Sequence, residues 1–234
     1  MAVRPASLTV IAVLLAASAA PFAAVPARLS RADDAFQQFF SARSLEAADA
    51  AAARVVADKV PLREALRRLK AGPTYGGAPS GRHHAVRRGA DGTDYHYWVD
   101  VPADYAPGRR TPLWVVLHGG VDERHPDSDP GDAGLPRPST LDGPQPIVVT
   151  PVAWPGAPWW SEAQLVNVGT IVDAIGREYN VDENRVAILG VSDGGTGAYY
   201  LAMRDPTRYA AFLPFNGYLP VLGHVGAPLN ERIF

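Results

Sequence analysis

The fold of this protein is decided by the stretch Arg185-Val186-Ala187-Ile188-Leu189-Gly190-Val191-Ser192-Asp193-Gly194-Gly195-Thr196-Gly197-Ala198. Its apolar first part predicts a strand and its small-residue last part predicts a helix, with a Gly-x-Ser-x-Gly motif between them. A sharp strand-to-helix turn lifts the hydroxyl of Ser192 above the sheet and points the backbone N–H of Asp193 at a reacting oxygen. The motif is common by chance, but in this context it indicates an activated serine.

Composition excludes several classes of function. The 234 residues are enough for one sizeable hydrophobic core. The chain has 22 Lys and Arg against 24 Asp and Glu, so it lacks the excess of positive charge that is typical of nucleic-acid-binding proteins. The absence of cysteine excludes disulfides, thiolate metal sites and a cysteine nucleophile. The sequence contains no HExxH, Walker or dinucleotide motif, so we expect no metal and no cofactor.

The first 27 residues have the pattern of a secretory signal peptide. Arg4 precedes an apolar stretch from Leu8 to Ala20, and small residues follow, with possible cleavage after Ala19 or Ala27. The stretch is too short and too rich in alanine to favour a retained transmembrane anchor. We therefore expect a secreted or periplasmic protein with no membrane span after signal removal; an uncleaved signal anchor is the alternative.

Three further regions follow the signal. Residues 28–72 predict a helical N-terminal extension, and residues 73–82, rich in Gly, Pro and Ser, predict a linker before a domain at 83–234. Within the extension, a capping box at Ser30–Asp33 predicts where the first helix begins. Further helices are predicted from Leu45 to Lys59 and from Leu62 to Lys70.

The domain alternates predicted strands and helices. Two short strands flank Asp91-Gly92 and predict an antiparallel hairpin. Apolar runs predict buried parallel strands, and a capping box at Ser161–Gln164 opens a helix with periodic apolar residues. The pattern predicts an α/β fold: a mostly parallel sheet with an antiparallel opening hairpin and flanking helices. The strands are predicted at 84–88, 95–101, 112–117, 147–151, 185–189 and 210–214.

A second motif, Leu117-His118-Gly119-Gly120, closes a buried strand at the edge where α/β sheets bind ligands. At this point the sequence resembles the α/β-hydrolase superfamily. The resemblance implies that the backbone N–H groups of Gly120 and Asp193 form an oxyanion hole and that Gly119 shapes the turn. The segments 179–186 and 205–217 and the serine motif narrow the resemblance to secreted esterases and polyester-depolymerase-like enzymes, over roughly residues 83–234.

Three side chains near the same edge are candidates for the walls of a pocket: His118, Trp159 and Trp160. For His118, a structural role that orients the loop is favoured over proton transfer. For the tryptophans, core packing is an equal alternative.

The acidic segment Asp122–Asp132 raises the possibility of a calcium site, but Asp127–Asp132 does not match the spacing of an EF-hand loop. Its proline content predicts a solvated loop or lid instead.

The catalytic histidine and acid are harder to place. The superfamily carries them after the serine, in the order acid and then histidine. Downstream of Ser192 there are only His224 and the acids Asp193, Asp205 and Glu231, which do not fit that order. We therefore expect a sequence truncated before the triad acid and histidine. A degenerate inactive protein and an enzyme that recruits His224 are the alternatives.

The resemblance implies a secreted serine hydrolase that cleaves small-molecule or polymeric carboxylic esters. Ser192 is then the nucleophile, an acyl-serine is the intermediate, and no cofactor is needed. Two alternatives stay open. One is a non-catalytic protein of the same fold that acts as a binding module, and the other is a serine peptidase of the same superfamily.

Overall fold

The computed structural model describes residues 27–76, 79–131, 133 and 144–224. The predicted signal peptide, apart from Ala27, and the acid Glu231 lie outside the described residues, as do parts of the acidic loop. The chain divides into two compact units, with the boundary between Ala71 and Gly72. None of the helices within the described ranges has the length and apolar character needed to cross a bilayer.

The N-terminal unit is helical. Its helices are α1 (Ala27–Phe40), α2 (Leu45–Ala57) and α3 (Leu62–Ala71). The hydroxyl oxygen of Ser44 caps α2 by accepting a hydrogen bond from the Ala47 N–H at 3.2 Å. The prediction that α1 begins at the Ser30 capping box is wrong, because Ser30 lies inside a helix that already starts at Ala27. The preceding Ala, Arg and Leu are good helix formers, so the helix extends past a residue that could have capped it.

The second unit is built on one six-stranded sheet in the order β1-β2-β4-β3-β5-β6. The β1–β2 hairpin is antiparallel and β2 also pairs antiparallel with β4, whereas β4, β3, β5 and β6 run parallel. The predicted α/β class and the antiparallel opening hairpin are confirmed. The strands are β1 (Gly81–Arg88), β2 (Asp94–Val101), β3 (Thr111–Leu117), β4 (Ile147–Pro151), β5 (Val181–Val191) and β6 (Ala211–Phe215).

Helices α4 (Glu162–Glu178) and α5 (Asp193–Arg204) pack on this sheet, and a short α6 (Val221–His224) follows β6. Continuous apolar sequence marks the two central strands because both of their faces are covered. All five residues of β4 are buried, and Leu113, Val115 and Leu117 of β3 have no exposed surface. The core therefore lies around β3, β4 and β5, the strands that carry the candidate site at their ends.

The capping box predicted for α4 is only half correct. The Ser161 hydroxyl oxygen accepts from the backbone N–H of Gln164 at 3.3 Å, as expected of an N-cap. The Gln164 side chain does not reach back to Ser161. Its amide donates instead to the carbonyl oxygens of Val152 at 2.8 Å and Ala157 at 3.1 Å. These two buried carbonyl groups need a hydrogen-bond donor, and the Gln164 side chain supplies it instead of completing the capping box.

Candidate active site

The candidate site lies where four parallel strands end at one edge of the sheet. In sheet order, β4 is followed by the segment 152–160, β3 by His118–Gly120, β5 by Ser192 and β6 by Asn216-Gly217. Since strands that run parallel end at the same edge, segments far apart in the sequence meet there. Ser192 and the glycines of the loop after β3 are among the residues brought together.

Ser192 occupies a strained backbone conformation. It lies between β5 and α5 with φ 54° and ψ −118°, a region that residues with a side chain rarely adopt. Its backbone N–H donates to the carbonyl oxygen of Phe215 at 2.9 Å, which holds the turn against β6. The side chain is exposed. Conformations of this kind cost about 1–3 kcal/mol and persist where the surrounding structure enforces them, which is typical of functional sites.

The glycines of the motif are required by close backbone contacts. A methyl group on Gly190 would overlap the backbone of Gly194, and one on Gly194 would overlap the carbonyl group of Leu117 at the end of β3. A methyl group on Gly195 would lie 2.5 Å from the Phe215 carbonyl oxygen. The turn can therefore form only where residues 190, 194 and 195 have no side chain.

The loop after β3 approaches Ser192 directly. A Cβ atom built on Gly119 would lie 3.1 Å from the Cβ of Ser192 and 3.7 Å from its Oγ. Gly120 has φ 65° and precedes a short 3-10 helix at Val121–Glu123. Neither the Gly120 nor the Asp193 backbone N–H has an acceptor among the described residues. The resemblance assigned these two amides to an oxyanion hole, and both are without a backbone or side-chain acceptor in that part of the chain.

The side chain of Asp193 makes a contact that sequence analysis missed. Its Oδ2 accepts a hydrogen bond from the backbone N–H of Val121 at 2.9 Å. Val121 is 1% exposed, so its amide would otherwise lack a partner away from solvent. The sequence assigned Asp193 only a backbone role, and no local pattern connects it with a residue 72 positions earlier.

His118 is buried in the core, with 1% of its surface exposed. Its Nδ1 lies 2.9 Å from the Gly119 carbonyl oxygen, and its Nε2 accepts a hydrogen bond from the Ala153 N–H at 3.0 Å. These partners require the neutral tautomer with the proton on Nδ1. Burial lowers the pKa of His118, and Arg124 lowers it further, against opposite effects of the Gly119 carbonyl and Asp193. Both ring nitrogens are engaged, which favours the structural role over proton transfer.

The two candidate tryptophans are placed differently. Trp159 has no exposed surface, and its indole N–H donates to the His118 carbonyl oxygen at 2.8 Å. Its ring also meets the His118 imidazole edge to face, with centroids 5.0 Å apart. Trp160 is partly buried against the same core. This placement favours the packing alternative for Trp159 and leaves Trp160 nearer the surface.

The rest of a catalytic triad is not assembled within the described residues. There the Ser192 hydroxyl has no hydrogen-bond partner, and the imidazole of His224 lies outside what the structure describes. Asp205 caps the far end of α5 and pairs with Arg208 at 3.0 Å. The same ranges contain no group of three or more His, Asp or Glu that could hold a metal ion.

A mostly parallel sheet that delivers a serine into a strained strand-to-helix turn, beside a glycine loop after the third strand, is the arrangement found in α/β-hydrolases. The described chain has this α/β-hydrolase-like fold. No family model matches the chain.

Comparisons with known proteins find esterases and, among the solved structures, peptidases as well. Over 131 residues, the chain is 30% identical to a bifunctional acetylxylan esterase/xylanase from Neocallimastix patriciarum, covering 54% of this chain and 18% of that protein. A thermostable esterase of known structure is 29% identical with a TM-score of 0.48, covering 57% of this chain and 40% of that one. An acetyl xylan esterase from Aspergillus awamori is 19% identical with a TM-score of 0.44, covering 56% of this chain and 50% of that one.

The chain thus spans less than a fifth of the curated relative and half or less of these two structures. The sequence similarity relates it to carboxylic ester hydrolases at low identity and over part of their length.

Proposed function

We propose that this chain carries the nucleophile and oxyanion hole of a secreted or periplasmic serine hydrolase that cleaves carboxylic esters through an acyl-serine intermediate. The observation that carries the proposal is the exposed Ser192 in a strained turn, with the Gly119-Gly120 loop against it. The resemblance of the Leu117–Gly120 loop and of the Gly-x-Ser-x-Gly motif to those of α/β-hydrolases supports the same chemistry.

In the first half of the reaction, the Ser192 oxygen attacks the ester carbonyl carbon and loses its proton to a base. The carbonyl oxygen becomes an oxyanion, which the N–H groups of Gly120 and Asp193 stabilise. The C–O bond to the alcohol then breaks and the alcohol leaves with a proton. In the second half, water attacks the acyl-serine through an equivalent intermediate, releasing the acid and restoring the hydroxyl.

Backbone N–H groups suit this task because they are fixed before charge develops. Asp193 is the first residue of α5. The backbone N–H groups at the N-terminus of a helix have no acceptor within the helix and carry partial positive charge. Loss of one oxyanion donor costs enzymes about 100- to 1000-fold in rate, so the geometry of both donors matters.

The acyl group that we favour as substrate is acetyl, carried by a polysaccharide. The support is the similarity to an acetylxylan esterase/xylanase, and the signal-like N-terminus is consistent with action on an external polymer. Small-molecule acetyl esters are the alternative substrates.

A second candidate function is a non-catalytic binding module of the same fold. It is favoured by the fact that, within the described residues, no histidine hydrogen-bonds to the Ser192 hydroxyl. Both candidate functions are compatible with the same serine turn, and only the presence of a proton acceptor for Ser192 distinguishes them.

The test is covalent labelling of the full-length protein. A fluorophosphonate probe is expected to modify Ser192, identified by mass mapping of the peptide that contains it. Ser192→Ala should abolish labelling, and Ser41→Ala, which removes an exposed serine from the N-terminal unit, should leave it unchanged.

Two outcomes would reject esterase function. One is a wild-type protein that stays unlabelled, and the other is an alanine variant that labels equally well. Release of acetate from acetylated xylan, compared with p-nitrophenyl acetate, then tests the proposed substrate class.

A further inference from the structure

We infer that Asp193 is also a positioning residue: its carboxylate fixes the loop that carries the second oxyanion donor. The inference rests on the proposed function, because it assigns the Gly120 N–H a role in that reaction. The inference is based on the hydrogen bond from the Val121 N–H to Asp193 Oδ2. This bond is 2.9 Å long and joins the serine turn to the loop after β3.

This bond acts on the Gly120 amide through one residue of backbone. The Val121 nitrogen belongs to the peptide plane that Gly120 begins, so holding Val121 restricts the ψ angle of Gly120. Gly120 needs that restriction, because it has no side chain and has φ 65° and ψ 49° in the left-handed region. On its other side, His118 holds the Gly119 carbonyl. Hydrogen bonds thus fix the loop on both sides of the Gly120 N–H.

The carboxylate also has to be kept away from the reacting oxygen, since two negative charges close together repel. Its bond to Val121 directs the charge toward a buried amide, and a hydrogen bond to an ionised acceptor is stronger than a neutral one. The start of α5 stabilises a negative charge as well. One residue therefore donates to the oxyanion with its backbone and aligns the partner donor with its side chain.

Two variants of Asp193 distinguish the effect of losing the hydrogen-bond acceptor from the effect of losing the negative charge. Asp193→Ala removes both, whereas Asp193→Asn removes the charge and keeps an oxygen that can accept from Val121. We expect Asp193→Ala to slow fluorophosphonate labelling of Ser192 at least tenfold. We expect Asp193→Asn to recover at least half of that loss on a logarithmic scale. In ester hydrolysis the loss should fall on kcat rather than KM, since the bond serves a donor needed in the transition state.

A second measurement does not depend on activity. Hydrogen–deuterium exchange in the peptide 118–123 should accelerate at least tenfold in Asp193→Ala and less in Asp193→Asn, because Val121 loses its acceptor only in the former. Unchanged exchange in Asp193→Ala would overturn the inference, as would labelling equally slow in both variants, which would assign the effect to charge. A wild-type protein that shows the protected amide but no labelling would reject the proposed function alone.

Discussion

Gly119 lies so close to Ser192 that a methyl group on it would come within 3.1 Å of the Ser192 Cβ and 3.2 Å of the Val191 carbonyl oxygen. Distances of this size require the neighbour to move, and here one neighbour is backbone. The small size of residue 119 therefore determines whether the serine turn and the loop after β3 can approach each other.

Gly119→Ala is accordingly expected to slow fluorophosphonate labelling of Ser192 at least tenfold. The added methyl group pushes the loop away from the nucleophile, and the misfit costs about 1–3 kcal/mol of stability. The matched control is Gly108→Ala, at an exposed position where a methyl group meets nothing within 4 Å. Labelling of Gly119→Ala at the wild-type rate would show that the contact does not constrain the site.

Turnover of p-nitrophenyl acetate is expected to depend on Ser192 and on a base beyond the contacts that the structure describes. Ser192 needs a base to accept its proton, and no imidazole within the described residues hydrogen-bonds to it. The measurement compares wild type with Ser192→Ala, which should lose turnover, and with His224→Gln, whose imidazole lies outside the described residues. Turnover in Ser192→Ala equal to that of wild type would contradict the role of Ser192, and unchanged turnover in His224→Gln would exclude His224 as the base.

The strands and the serine turn could be predicted from sequence because their signals are local. A run such as Leu113–Leu117 is apolar at every position only when both faces are covered, and a serine between glycines after such a strand has few structural alternatives. The hydrogen bond between Asp193 and Val121 could not be predicted. It depends on the register of β3 against β5, which places Leu117 beside Gly190 and is a property of the assembled sheet.

Gln164 is the opposite case, because a local sequence signal was present but the prediction made from it was wrong. A serine followed three residues later by glutamine predicts a capping box, but the buried carbonyls of Val152 and Ala157 compete for the same amide. Because an unpaired buried carbonyl costs more than an exposed cap contributes, the side chain turns inward. The sequence carries no indication of these acceptors, since their burial arises from packing of the loop after β4.

Gly194→Ala tests whether the motif glycine is needed for folding. The added methyl group would overlap the Leu117 carbonyl, a backbone group that cannot move without disrupting β3. We expect a loss of more than about 4 kcal/mol in the free energy of unfolding, or failure to fold. The control is Gly176→Ala in α4, where nothing lies within 4 Å and alanine should stabilise the helix by about 0.5–1 kcal/mol. Urea unfolding compares the two, and a Gly194→Ala protein within 1 kcal/mol of wild type would contradict the requirement for close packing.

His118 is expected to make stability depend on pH in a defined direction. Burial lowers its pKa in the folded protein below the ordinary value of 6.5, so the folded state resists the proton that the unfolded state accepts. Above pH 6.5 both states are neutral at this position and its full contribution is present. As the pH falls below that value, the unfolded state binds more protons, and this contribution is lost at up to about 1.4 kcal/mol per pH unit.

The measurement is thermal or urea unfolding between pH 7.5 and pH 5, with wild type compared to His118→Gln. The glutamine amide can still donate and accept but does not titrate in this range, so its stability should fall less steeply with acidification. An NMR titration of the wild-type imidazole should show His118 staying neutral below the pH at which an exposed histidine becomes charged. Protonation of His118 at or above pH 6.5 in the folded protein would contradict both its neutral tautomer and its structural role in holding Gly119.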